Sequence, residues 1–291
     1  MKVVLSPNPY RDRGLKAAMT AKHILENNGA QVVICLPFEL EESGRAHLPP
    51  HEPFGQMAAQ LEDTDVLVCF GGDGTILHAA RDANPRQIPV LGVNLGSVGF
   101  MAELEQHELS MLSRLTAGKY SIEKRMMLDI TVRRDGRRVF SETALNDAVV
   151  TKGTSVARVL DLQVTGDRTV ISGFYGDGVV IATPTGSTAY SLAAGGPIVE
   201  PTAENMIVTP ICPHALSARS VIMGLERLVS LKMGRLTRKT AYLSVDGGKA
   251  FRLSGGDTVE LRVSKSKTRL VRVTGRSFYD ILSQKLGGAK A

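Results

Sequence analysis

The stretch "CFGGDGTILHA", residues 69–79, sets a carboxylate, Asp73, between Gly72 and Gly74 where an apolar run gives way to a helical pattern. Val66, Leu67, Val68, Cys69 and Phe70 read as a buried strand, and Ile76, Leu77, Ala79 and Ala80 as the packed start of a helix. A strand, a glycine-rich turn and a helix open a βαβ unit, which places this part of the chain among α/β folds. An Asp at such a turn is costly to desolvate. Glycines let the backbone turn sharply and approach a ligand, and the free N–H groups of a helix start attract phosphate. Asp73 is therefore either a turn residue that caps the helix, or a group beside a bound polyphosphate that accepts a proton or holds a metal. The pentapeptide admits both. The chain contains no G-x-x-x-x-G-K-[ST] and no G-x-G-x-x-G, so neither the P-loop nor the usual dinucleotide fingerprint is present.

Outward from this turn, the first part of the chain keeps the same rhythm. Strands are predicted at Lys2–Ser6, Gln31–Leu36, Asp65–Phe70 and Ile88–Val93, with helical patterns over Leu15–Leu25 and at about 54–62, 75–83 and 105–117. The polar, proline-bearing segment Glu41–Pro53 reads as a loop. From about residue 120 the pattern changes to regular short strands. Asp135-Gly136, Gly166-Asp167 and Asp246-Gly247-Gly248 mark turns between Leu128–Val132, Val159–Val164, Thr169–Ile171, Leu228–Met233, Ala241–Val245, Val259–Val263 and Leu270–Val273. This reads as a sandwich-like β domain. A last helix is predicted over Ser277–Leu286.

The 291 residues, 43% apolar and 22% charged, make room for one large or two ordinary domains with a sizeable core. Apolar runs are of strand length, and the opening MKVVLSPNPYRDRG has no apolar segment of signal-peptide length. Cys35, Cys69 and Cys212 are too scattered for a disulfide framework or a zinc site, and each reads as a small hydrophobe in an apolar strand. A cytoplasmic protein is expected. The formal charge of +6 favours anionic partners. Aromatic residues at 5%, with no Trp, argue against a base-stacking surface. The basic tail SKSKTRLVRVTGR, residues 264–276, reads as a solvated strand face. Neither nucleic acid nor a membrane is expected as a partner.

Three further clusters carry polar groups into glycine-rich surroundings. "LGVNLGSVGF", residues 91–100, follows the fourth strand and carries Asn94. Two glycine-rich loops after neighbouring parallel strands converge at the carboxyl edge of a sheet, where open α/β sheets bind ligands. In "ALNDAVV", residues 144–150, Asn146-Asp147 interrupts an apolar run, as an Asx turn or as an amide and carboxylate for two ribose hydroxyls. In "GDGVVIATPTGSTAYSLAAGG", residues 176–196, Thr185, Ser187, Thr188 and Ser191 crowd donors and acceptors together, and Tyr190 offers a ring. His78 reads as a helix-surface or packed histidine.

These four clusters, in this order and spacing, resemble the NAD kinase family. The resemblance rests on Gly71–Thr75, on Asn94, Gly96, Gly99 and Phe100, on Asn146-Asp147, and on Asp177-Gly178 followed by Thr183–Tyr190. The opening PNPYRDRG and the tail RSFYDILSQKL extend it over nearly the whole chain. GGDGT alone is shared with lipid kinases; TPTGSTAY is not. The resemblance implies an α/β Rossmann-like amino-terminal domain and an all-β carboxy-terminal domain. The boundaries expected are 1–122 for the domain carrying the GGDGT loop, 123–265 for a β-rich NAD-binding domain, and 266–291 for a segment returning to the first. It also implies transfer of the terminal phosphoryl group of ATP, another nucleotide or polyphosphate to the 2′-hydroxyl of the adenosine ribose of NAD, forming NADP. Asp73 would take the proton, and Mg²⁺ or another divalent cation would accompany the donor, with no metal ligands assigned in the chain. Gly72, Gly74, Thr75 and Asn94 would bind nucleotide, Asn146 and Asp147 the ribose, and Phe100, Thr188, Ala189 and Tyr190 the adenine. Thr185 would lie near the adenine and Asp177 toward the nicotinamide. A homodimer or homotetramer is implied. Asp147 departs from the commoner Glu, and no proline follows Arg219. A lipid kinase and a non-catalytic dinucleotide sensor are the competing readings.

Overall fold

In the computed structural model the apolar run before the GGDGT loop is strand β3 (Val66–Gly71), with every residue buried. The structure describes residues 1–38, 48–49, 52–96, 99–153, 159–215, 217–234 and 240–286. Most of the segment read as a loop over Glu41–Pro53 lies outside them. Two compact units form: Met1–Lys124 with Thr268–Ala291, and Arg125–Lys267.

In the first unit β3 sits between β1 (Lys2–Pro7) and β4 (Val90–Asn94), and β2 (Gln31–Ile34) lies outside β1; all pair in parallel. The short β5 (Leu104–Glu105) pairs with β4, as does Leu270 with Val90. The order β2-β1-β3-β4 reverses direction between β1 and β3, and ligands of open α/β sheets bind at the carboxyl side of such a reversal. The loops leaving β1 and β3 meet there: the N–H of Asn8 donates to the carbonyl of Phe70 at 3.0 Å. Helix α1 (Lys16–Asn27) buries Ala17, Ala18, Ala21 and Leu25, and α2 (Asp73–Ala83) buries Ile76, Ala79, Ala80 and Ala83. Val3, Leu5, Val68, Phe70, Leu91 and Val93 complete this core from the sheet. The carboxylate of Asp12 caps α1 by accepting the N–H groups of Ala17 and Ala18 at 3.0 and 2.9 Å. Two predicted helices are weaker than their pattern. Residues 54–62 yield one α-turn, Met57–Gln60, and residues 105–117 form a 3₁₀ segment, Gln106–Leu112, before the α-turn Ser113–Thr116.

The chain end belongs to the first unit. Glu103, buried, accepts the N–H groups of Val273 and Thr274 at 2.7 and 2.6 Å and pairs with Arg272 at 3.1 Å. Helix α3 (Phe278–Leu286) then carries Phe278 to the ring of Phe100, with 6.2 Å between centroids.

In the second unit β6 (Ser121–Arg134, entering from the first) pairs with β7 (Arg137–Ala144) through the turn Asp135-Gly136, where both residues have positive φ. A six-stranded sheet runs β13-β12-β11-β8-β15-β16, all antiparallel: Val221–Gly224, Asn205–Ile211, Gly178–Ala182, Asp147–Lys152, Ala241–Val245 and Phe251–Leu253. Strands β9 (Leu160–Gly166), β10 (Thr169–Gly176), β14 (Val229–Met233) and β17 (Thr258–Arg272) pair in the order β10-β9-β14-β17. Leu128, Ile130, Val150, Leu162, Val164, Val179, Ile181, Leu231, Leu243 and Leu261 share one core. The two predicted strands Val259–Val263 and Leu270–Val273 are one continuous strand: the basic residues between them alternate with the buried Ser264 and Thr268. Cys35 and Cys69 are buried, but Cys212 is exposed at φ +43°, where β12 has ended, and this corrects its reading as a buried strand residue.

Candidate active site

At the carboxyl end of β3 the chain turns through Gly72, which is extended at φ −104°, and α2 begins at Asp73. The Asp73 carboxylate does not cap its own helix. It accepts the N–H of Phe100 at 2.9 Å and the N–H of Met101 at 3.1 Å, so the second glycine-rich loop holds it. Gly99, buried, makes this possible: an added Cβ would lie 3.0 Å from Asp73 Cγ and 3.3 Å from Oδ2, and nearer still to Oδ1. An added Cβ at Gly72 or Gly74 would meet no protein atom within 4 Å. Gly71 is packed beneath the Thr75 side chain, whose Oγ1 lies 3.4 Å from Asn8 Nδ2. The two loops are neighbours because β3 and β4 pair in register, Gly71 opposite Asn94, and the N–H of Leu95 donates to the carbonyl of Gly71 at 3.1 Å. Asn94 is buried; its Nδ2 donates to Glu105 at 2.9 Å, and its Oδ1 has no hydrogen-bond partner among the described residues. The Phe100 ring packs beside Phe278, with Lys285 Nζ 4.3 Å from its centroid. His78 lies half-exposed on α2 beside Asp82, whose hydrogen bond raises its pKa. That is the helix-surface reading.

In the second unit the structure gathers Asn146, Asp147 and the TPTGSTAY segment at one end of the six-stranded sheet. Strand β8 begins at Asp147 between the ends of its neighbours, with Ala182 of β11 and Val245 of β15 facing Asp147 and Ala148. Just outside the sheet, the N–H and Oγ1 of Thr183 donate to the carbonyls of Asn146 and Leu145 at 2.8 and 2.5 Å. Gly186 lies against the same peptide: an added Cβ would sit 2.5 Å from Asn146 C and 2.8 Å from its Cα. Asn146 Oδ1 is buried with no hydrogen-bond partner among the described residues. Burial, reinforced by the charge of Asp246, pushes the Asp147 carboxyl up to about 7.

The hydroxyl-rich run divides in two. Ser187 and Ser191 are fully buried and serve the fold: Ser187 Oγ bridges Pro184 and Val199, and Ser191 Oγ pairs with Thr209 at 3.0 Å. Thr185 Oγ1 accepts from Arg125 Nη1 at 3.2 Å, and Thr188 Oγ1 donates to the carbonyl of Thr185 at 3.3 Å. Ala189 and Tyr190 follow toward solvent, with Tyr190 exposed. Asp177 precedes β11 and pairs with Lys152 at 2.7 Å. The sequence reading missed Arg125 and Asp246 as contributors here; the only mark of Asp246 was its Asp-Gly-Gly turn, which many hairpins share. Among the described residues no group of three His, Cys, Asp or Glu side chains is arranged to hold a metal.

Comparison with known proteins agrees with these motifs. The ATP-NAD kinase N-terminal domain matches residues 8–120, and the ATP-NAD kinase C-terminal domain matches residues 145–273. An NAD kinase of Symbiobacterium thermophilum is 43% identical over 265 residues, 91% of each chain. An NAD kinase of Lachnoclostridium phytofermentans is 38% identical, covering 98% of this chain and 99% of its own. Among solved structures, yeast NADH kinase complexed with NADH superposes with a TM-score of 0.85 at 27% identity, covering 100% of this chain and 89% of its own. An NAD kinase from Archaeoglobus fulgidus in complex with ATP shares the fold, with a TM-score of 0.74 at 22% identity over 97% of this chain and 99% of its own. Two domain matches that together span most of the chain, and relatives of this similarity over almost its full length, show that the chain belongs to the NAD kinase family and is an enzyme of that kind.

Proposed function

We propose that this kinase moves the terminal phosphoryl group of ATP, or of another nucleotide or polyphosphate, to the 2′-hydroxyl of the adenosine ribose of NAD, with Asp73 as the base. The observation that carries the assignment is the grip of Phe100 and Met101 on the Asp73 carboxylate. A hydroxyl is a weak acid, and a carboxylate that orients it and takes its proton late in transfer supports in-line displacement. Two N–H donors fix the carboxylate plane, and each oxygen keeps a second lone pair for the hydroxyl. The clear space around Gly72 and Gly74 suits close approach of the donor phosphates to the backbone at the start of α2. Thr75 and Asn94 flank that approach.

Mg²⁺ or another divalent cation would accompany the donor. This ion is commonly held by one or two carboxylates together with substrate phosphates rather than by a protein cage. The donor phosphates would carry the ion here, and Asp73 stays free to take the hydroxyl proton. Mg²⁺ supplies charge neutralisation at the transferred group.

Asn146 and Asp147 bind the ribose hydroxyls. The unpartnered Oδ1 of Asn146 is an acceptor awaiting a donor. Thr188, Ala189, Tyr190 and Phe100 hold the adenine, Thr185 lies near it, and Asp177 lies toward the nicotinamide. The functional division follows residues 1–122 and 123–265, with 266–291 completing the first part. The chain works in the cytoplasm as a dimer or tetramer. Among the described residues no helix is long and apolar enough to cross a membrane. Val170 and Tyr175 on edge strand β10, and Ile222 on edge strand β13, are exposed apolar residues of the kind that assembly covers. A monomer by light scattering at assay concentration would overturn the assembly.

The test of the base is Asp73→Asn, assayed with Mg²⁺-ATP and NAD and with NADP read by an NADP-specific dehydrogenase. Turnover should fall by ~10²–10⁴ with NAD binding retained. Near-normal turnover of the folded variant overturns the assignment.

A further inference from the structure

The three peptide groups that carry Asn146 and Asp147 have an unusual set of partners. Leu145 and Asn146 lie just before β8 and Asp147 is its first residue, paired with Ala182, and the neighbouring strands offer none of the three N–H groups a backbone acceptor. One side chain takes all three. Asp246 Oδ2 accepts the N–H of Leu145 at 2.7 Å, and Oδ1 accepts those of Asn146 at 2.7 Å and Asp147 at 3.0 Å. The N–H of Asp246 donates in return to the carbonyl of Asp147 at 3.0 Å. With Thr183 on the carbonyls of Leu145 and Asn146, every backbone polar group of residues 145–147 is engaged. The two side chains behave differently: the Asp147 carboxylate accepts no hydrogen bond among the described residues, and Asn146 Oδ1 has none either.

Asp246 also sits where an ordinary turn residue need not carry a carboxylate. It is at φ +48° with Gly247 at φ +69°, a pair of left-handed residues that Asn-Gly or Gly-Gly would form as well. A second carboxylate beside Asp147 is electrostatically unfavourable: burial raises the Asp246 carboxyl despite its three N–H donors, and its charge raises Asp147. A turn alone does not account for accepting that repulsion. Three convergent N–H groups that must be held in one geometry do.

We propose that Asp246 is a positioning residue for NAD: its carboxylate fixes the backbone of Leu145–Asp147 before substrate arrives, so that Asn146 and Asp147 meet the ribose already in place. The inference rests on the assignment of Asn146 and Asp147 to the ribose. Preorganisation of this kind lowers the ordering cost of binding and acts on substrate affinity more than on phosphoryl transfer.

Asp246→Asn is the informative substitution. Asn accepts the left-handed backbone as readily as Asp does. It keeps one oxygen for two of the N–H groups and sets an NH₂ against the third, a donor facing a donor. The KM for NAD should rise about tenfold, with kcat and the KM for ATP within about twofold of the parent. Asp147→Ala should also raise the KM for NAD, and the double variant should show less than the product of the two effects, because both act through one contact. A merely structural residue would lower the melting temperature without this split between KM and kcat. If Asp147→Ala and Asn146→Ala leave the KM for NAD unchanged, the ribose assignment fails. If they raise it and Asp246→Asn does not, the ribose assignment stands and the positioning role is overturned. Amide hydrogen exchange on the unmodified enzyme gives a second reading that needs no variant. The amides of Leu145, Asn146 and Asp147 should exchange slowly before NAD is added; fast exchange that slows only with NAD would overturn the proposal.

Discussion

Replacing Gly99 by Ala adds one methyl group at a point where the structure has no room for it, and the group it strikes is the proposed base. The new Cβ would stand 3.0 Å from Asp73 Cγ, against a favourable carbon–carbon separation of about 3.5–4.0 Å, and would press harder on Oδ1. Relief requires a displacement of roughly 0.5–1 Å. Two movements supply it: the Asp73 carboxylate rotates away, or the segment 99–101 withdraws. Either breaks the bonds from Phe100 and Met101, each worth about 1.5–3 kcal/mol because the acceptor is charged. A folded domain with a stability of about 5–15 kcal/mol survives that loss. The chemistry does not, since a misplacement of about 1 Å at a reacting group costs on the order of 10²-fold in rate. Gly99→Ala should therefore lower kcat about 100-fold in the coupled NADP assay, while a thermal melt still shows a cooperative transition. In an Asp73→Asn background the same substitution should add little, because the group it displaces no longer accepts a proton. A kcat within about threefold of the parent, or full additivity with Asp73→Asn, would refute the reasoning.

Gly72→Ala and Gly74→Ala should leave the melting temperature unchanged: Gly72 is at φ −104°, Gly74 lies in α2, and neither has a protein atom within 4 Å of an added Cβ. Gly72→Val and Gly74→Val should lose donor-dependent activity with stability little changed; a fully active valine variant would show that no phosphate approaches there. Asp147 supplies a pH test. Its carboxyl titrates near 7 in the folded chain and near 4 when unfolded, so the folded state holds an extra proton between those values. The group therefore costs stability progressively as pH rises from about 4 to 7, and the full cost, at most about 4 kcal/mol, stands above pH 7. Asp147→Asn should melt higher than the parent at pH 8 and not at pH 4; the reverse order would contradict the assignment of burial as the cause. Over the same range the KM for NAD of the parent should fall as pH rises through 7, because the ionised carboxylate is the stronger acceptor for a ribose hydroxyl. A KM equally flat in parent and variant would remove Asp147 from the ribose.

Where the sequence reading succeeded, short-range chemistry was enough. The strand Val66–Gly71 and helix α2 were legible because a fully apolar run and a helical period meet at glycines. Helix α3 was legible for the same reason of period. The 3₁₀ character of Gln106–Leu112 was not, since an apolar spacing of three or four suits either helix. The partners of Asp73 lie 27 and 28 residues away, and no local pattern announces that Phe100 and Met101 turn their N–H groups toward it. Asp246 is farther still, about 100 residues from the peptides it holds. Ser187 and Ser191 looked like ligand groups because a hydroxyl-rich loop and a hydroxyl-rich packing interface have the same composition; only burial separates them. Cys212 went the other way, because its apolar neighbours end one residue before it.

The first unit is assembled from both ends of the chain, while the second is one uninterrupted stretch, Arg125–Lys267. During synthesis the ribosome delivers residues in order, and domains generally fold as units when their residues are available. The second unit has all its residues before the first has its last strand pairing, Leu270 with Val90, or the closing grip of Glu103 on Val273 and Thr274. The loop that holds Asp73 is also among the last parts to be finished, since Phe100 awaits Phe278 and Lys285. A chain cut short after Lys267 would thus present a complete β unit and a glycine-rich loop that lacks Phe278 and Lys285 beside Phe100. The packing of Phe278 and Lys285 against Phe100 can form only once α3 has been synthesised, well after the β unit has all its residues.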